Sequence, residues 1–91
     1  MLSNIENEIE LIRRHIKILR LVVQKEPIGI IRLSSLSGLP LHKVRYSLRI
    51  LEQNGLIKAS PKGAVTTPKG NNFIKAFPNK MRALINRTQS I

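Results

Sequence analysis

The chain has 91 residues, 42% apolar and only 3% aromatic, which allows one aliphatic core and little besides. Sixteen Lys and Arg against five Glu, with no Asp and no Cys, give a formal charge of +11; disulfides and thiolate metal sites are excluded, and a polyanionic partner is favoured. No run of about 18 apolar residues is present, so no membrane span is expected, and Asn4, Glu6, Glu8 and Glu10 stand where a secretory signal would be basic and then apolar.

Ser3 and Glu6 have the spacing of a capping box, which predicts a helix over 3–24. Ile5, Ile9, Ile12, Ile16, Leu19 and Val23 follow at intervals of 4, 3, 4, 3 and 4, an apolar stripe about 30 Å long. The two halves of this stripe differ. Before residue 13 only Leu11 accompanies it, whereas Ile18, Leu21 and Val22 widen it afterwards. The second half is expected to be buried. The first half is open to two readings: it projects and pairs with another chain, or the helix lies wholly on its own core. Charge divides similarly: residues 1–26 hold five basic and four acidic side chains, and residues 27–91 hold eleven basic ones and only Glu52. A field this one-sided favours nucleic acid over a membrane surface or an acidic protein.

Pro27 ends the first helix, and Gly29 within the run Ile28 to Ile31 suggests a brief edge strand. Ile31, Leu33 and Leu36 predict a two-turn helix to about Ser37, then a tight turn, Gly38-Leu39-Pro40. In the next helix Val44, Leu48 and Leu51 fall at i, i+4 and i+7, with Pro40 in the first turn and Gly55 as the left-handed residue after the last. Helix, glycine-bearing turn and helix over 31–54 make a helix-turn-helix. Leu33, Leu36 and Leu39 are expected to lock its first helix against Val44 and Leu48. His42, Lys43, Arg45, Tyr46 and Arg49 remain for the other side.

Two β-prone runs around Pro61-Lys62-Gly63 predict a hairpin over 55–67. Thr67 is suited to cap a further helix and Pro68 to open it, with Phe73, Ile74 and Phe77 inward and Pro78 beyond its end. Asn79 then caps a last helix presenting Met81, Leu84 and Ile85, so that helices account for 68–88. The fold class expected is mainly α with a small β-hairpin (α+β), in one domain over 1–91.

This order of elements resembles the winged helix-turn-helix transcriptional regulators of bacteria and archaea. The likeness rests on Val44, Leu48 and Leu51 running into Glu52-Gln53-Asn54-Gly55-Leu56-Ile57, and on Val65-Thr66-Thr67-Pro68-Lys69-Gly70; it covers roughly residues 15–77. It implies a three-helix core with a wing and flanking helices, with 40–49 entering the major groove of duplex DNA. It also implies that Lys62, at the wing tip, approaches the backbone or minor groove. The hairpin is shorter than such a contact prefers, which argues against deep minor-groove insertion.

Elementary chemistry agrees with that assignment. Arg45 and Arg49 lie one turn apart and suit bidentate contact with guanine O6 and N7. Lys43, Ser47 and Lys62 suit phosphates, which position without specifying. Tyr46 has two readings, a contact to phosphate or a thymine methyl, or a core residue with its hydroxyl at the edge. His42 stands at the start of this helix. Catalysis is not expected: only His15 and His42 titrate near neutrality, neither has a sequence-local carboxylate, and no phosphate loop, metal-ligand spacing or cofactor motif is present. The expected protein is a cytoplasmic, nucleoid-associated, homodimeric regulator binding double-stranded DNA, without a small-molecule ligand. Ile5, Ile9, Ile12, Met81, Leu84 and Ile85 are its expected dimer contacts. RNA or ribosome binding, or a protein-interaction role for the same fold, are the alternatives.

Overall fold

The long apolar stripe folds as one continuous helix, α1 (Leu2–Lys25), on which the other elements are assembled. The computed structural model describes residues 2–76. After α1 come α2 (Ile30–Ser37), α3 (Leu41–Gln53), β1 (Ile57–Ser60), β2 (Gly63–Thr66) and a fourth helix, α4, described over 68–76. The described chain is therefore mainly helical with one antiparallel hairpin, an α+β arrangement. Met81, Leu84, Ile85 and Phe77 lie outside the described residues. No helix among the described residues is long and apolar enough to cross a membrane.

The core is aliphatic, as the scarcity of aromatics requires. Ile18, Leu19 and Val22 of α1 meet Leu33 of α2, Val44 and Leu51 of α3, and Leu56 and Ile57 at the hairpin base. Each such side chain contributes about 1.5–3 kcal/mol when fully removed from water. Ile5 and Ile12, in the first half of α1, stay 48% and 45% exposed. Among the described residues that half lies outside the buried core cluster, with Ile9 half-buried. α1 is already helical at Leu2, so Ser3 lies inside the helix and is not its cap.

The α2 face differs from expectation. Leu33 is buried and Leu39 packs on the core, but Leu36 is 47% exposed and Ile31 also faces solvent. Ile30, Leu33, Ser34 and Ser37 form the inward side instead. The serines have a reason to be there. Ser34 Oγ donates to the Leu39 carbonyl at 2.6 Å, and the Leu39 N–H donates to Ser37 Oγ at 3.1 Å. The turn between α2 and α3 is thereby held by side chains where its backbone leaves the helix.

Ile28 is a single-residue bridge rather than a strand: it exchanges both backbone hydrogen bonds with Ala64, at 3.1 and 2.8 Å, along the open edge of β2. In the hairpin, Ile57 pairs with Thr66 and Ser60 with Gly63, leaving Pro61 and Lys62 as the turn. The end of α1 is tied to the same strand, because the Glu26 carboxylate accepts from the Thr66 N–H at 3.2 Å and from its hydroxyl. The Glu26–Pro27 peptide is cis.

Candidate nucleic-acid interface

α3 is amphipathic by construction, and both of its ends are fixed. Pro40 is its N-cap, one position earlier than expected, with its carbonyl accepting from Val44. At the other end Gly55 adopts φ +72, its N–H bonds to the Glu52 carbonyl, and the Leu56 N–H reaches back to Leu51, each at 2.9 Å. These two bonds are the Schellman closure, and buried Leu51 and Leu56 supply its apolar contact. Lys69 passes over Gly55, its Nζ 4.0 Å from where a Cβ would stand, so a cation lies at the carbonyl end of α3. Nothing in the sequence around Lys69 signals this placement.

Thr67 fixes the return from the hairpin. Its hydroxyl donates to the Gly55 carbonyl at 2.6 Å and accepts from the Gly70 N–H at 3.0 Å, capping α4 as expected. Gly70 must be glycine for space: a Cβ there would lie 1.9 Å from the Leu56 carbonyl oxygen. Phe73, expected inside α4's packing, is instead 39% exposed; Ile74 packs partly on the core.

With Val44, Ser47 and Leu51 buried, α3 turns His42, Arg45, Tyr46 and Arg49 to solvent, and Lys43 is half-buried. Arg45 and Arg49 line one open hollow with Leu48, Glu52 and Gln53, and Leu48 and Glu52 also border the hollow between α3 and β1. The arginine pair is thus on the hairpin side of the helix. Lys62 is exposed at the hairpin tip, its N–H donating to Ser60 Oγ at 3.3 Å. Neither arginine forms an ion pair within the described residues. Glu52, unassigned from sequence, puts one negative charge among them.

Ser47 belongs elsewhere. It is fully buried and its Oγ is hydrogen-bonded to His15 Nδ1 at 2.7 Å, so it faces α1 and is withdrawn as a phosphate contact. Its place in the helix explains this: it falls between Val44 and Leu51 on the inward side. Burial, then the neighbouring Arg14 charge, lowers the pKa of His15 and favours its neutral ring. That ring also lies 5.7 Å from the Tyr46 ring, inclined by 41°. Tyr46 is 43% exposed, so it is not a core residue; it stands at the margin between the basic face and α1. Behind this margin a cleft of about 280 Å3 opens among α1, α3 and α4, lined by Ile12, His15, Ile16, Ile50, Lys69 and Phe73.

Comparison with models of known protein families and with curated proteins finds no match.

Proposed function

We propose that the protein binds double-stranded DNA as a winged helix-turn-helix regulator. In this reading α2 and α3 form the helix-turn-helix, α3 enters the major groove and the β1–β2 hairpin is the wing. One observation carries it: Arg45 and Arg49 stand exposed and together, without an ion pair among the described residues, on the outer side of a helix whose inner side is locked into the core. They lie in a segment, 27–91, with eleven basic side chains and one acidic. Each arginine reads guanine; His42 and Tyr46 flank them, and Lys43 and Lys62 hold phosphates. A single module of this size reads few base pairs, and two copies on a two-fold axis would supply selectivity. The protein therefore acts as a homodimer at the nucleoid.

The test is titration of duplex DNA, structured RNA and single strands at one salt concentration, with Arg45→Ala and Arg49→Ala beside the unmodified chain. Selective duplex binding is expected. Each arginine variant should lose about 1–3 kcal/mol of discrimination at particular base pairs. Preference for structured RNA would favour the RNA-binding alternative. Absence of binding to any nucleic acid at low salt would leave protein interaction as the role of the fold.

A further inference from the structure

α1 is divided in charge as well as in burial. Its first half carries Glu6, Glu8 and Glu10 and no basic residue; from Arg13 onward it carries Arg13, Arg14, Lys17, Arg20 and Lys25 and no acidic one. On the acidic half lies an apolar stripe that the described core leaves partly open: Ile5 and Ile12 are exposed and Ile9 between them is half-buried. A helix acidic at one end and basic at the other, with an apolar seam in the acidic half, is complementary to itself only when reversed. We propose that two copies pair through the first halves of α1 in antiparallel register, on a two-fold axis near Ile9. This rests on the homodimer reading above and specifies its geometry.

In that register Ile5 of one copy meets Ile12 of the other, the two Ile9 side chains meet at the axis, and Glu6 lies beside the other copy's Arg13. The interface is isologous, the same patch serving both copies. A parallel pair would instead set Glu6 against Glu6 and Arg13 against Arg13 and force two basic bodies side by side, which Coulomb repulsion disfavours. Antiparallel pairing sends the bodies to opposite ends. Leu19, the middle of the buried half of α1, is ten residues from Ile9, or about 15 Å along the helix. The two bodies are then about 30 Å apart along α1, close to the helical turn of about 34 Å that separates DNA half-sites.

The chain has no cysteine, so introduced thiols report this geometry directly. Ile5→Cys, Ile9→Cys and Ile12→Cys are made in the full chain, checked for helix content and oxidised mildly. Ile9→Cys should cross-link to itself. Ile5→Cys should not, because two copies of residue 5 lie about 12 Å apart along the antiparallel axis, beyond disulfide reach, but it should cross-link when mixed with Ile12→Cys. Sedimentation supplies a second measure. Glu6→Arg and Arg13→Glu should each weaken self-association roughly 5–10-fold, and the double reversal should restore it. Self-linking of Ile5→Cys as efficient as that of Ile9→Cys would overturn the antiparallel arrangement. So would a monomeric Ile9→Cys variant whose introduced thiol is shielded from thiol reagents, which would mean that the same chain covers the stripe. Duplex binding measured on the same samples separates the two levels: selective binding by a monomer, or its loss on cross-linking through Ile9→Cys, ends this inference and leaves DNA recognition standing, whereas absence of duplex binding by the unmodified chain and the cross-linked dimer alike ends the functional reading.

Discussion

The two halves of α1 share one helix and one apolar spacing but have opposite fates. Leu19 and Val22 are fully buried, while Ile5 and Ile12 stand half in water. The periodicity alone does not distinguish them. What does is the company the stripe keeps: Ile18, Leu21 and Val22 broaden it in the second half, where α2, α3 and β2 pack round it. A regular stripe says that a face is suited to being covered, and its width says whether the domain itself covers it.

The comparison can be broken most sharply by equivalent truncations. Leu19→Ala should cost about 2–5 kcal/mol in urea unfolding, through lost transfer energy and the cavity left behind. Ile12→Ala should cost less than about 1 kcal/mol measured at a concentration where the chain is monomeric. Equal costs would mean that both halves serve one core. Ile5→Glu with Ile9→Glu should leave the fold intact by circular dichroism yet abolish self-association; a loss of fold would return the stripe to the core.

Between the halves stands His15, bonded to Ser47 and leaning on Tyr46. Ser47→Ala should cost about 1 kcal/mol, the worth of one hydrogen bond with a partner left unsatisfied. The pH dependence has a definite sign. Because the folded-state pKa of His15 is lowered below its usual 6.5, its unfolded form binds a proton first as pH falls. Its contribution to stability is intact above about pH 6.5 and is lost as pH drops toward the folded value. Denaturation midpoints should therefore fall between neutral and mildly acidic pH, and His15→Gln should flatten that slope. The smallest effect belongs to the far side of α3: Lys62→Ala should lower the slope of log affinity against log salt by about 0.9 on duplex DNA, leaving base preference unchanged.

Elements whose signals are local were legible in the sequence. The ending of α3 at Gly55, the Thr67 cap and a hairpin turning at Pro61-Lys62-Gly63 each rest on residues only a few positions apart, although Gly63 itself belongs to β2. Polar residues that serve packing were not legible. Ser34, Ser37 and Ser47 look like surface residues, and only the α2–α3 turn and His15, 32 positions from Ser47, explain their burial. Leu36 and Ile31 mislead for the complementary reason: their hydrophobicity points inward where the helix phase chooses the serines. The Glu26–Thr66 tie spans 40 positions and carries no sequence signature. At the candidate interface the arginine pair was readable from spacing alone. Glu52, in the same hollow, takes its meaning only from the hairpin's position beside it.

The double role of Thr67 bears on how this chain tolerates change. Its N–H donates to the Leu56 carbonyl at 3.2 Å and its hydroxyl to that of Gly55, so the excursion through both strands leaves and rejoins the body at one point. A loop whose ends are already joined can lengthen cheaply, since each doubling of its length costs only about 0.6 kcal/mol of closure entropy. Residues inserted between Pro61 and Lys62 would extend the tip without disturbing the body. Reach beyond the end of the hairpin is thus a property this scaffold can vary separately from its stability.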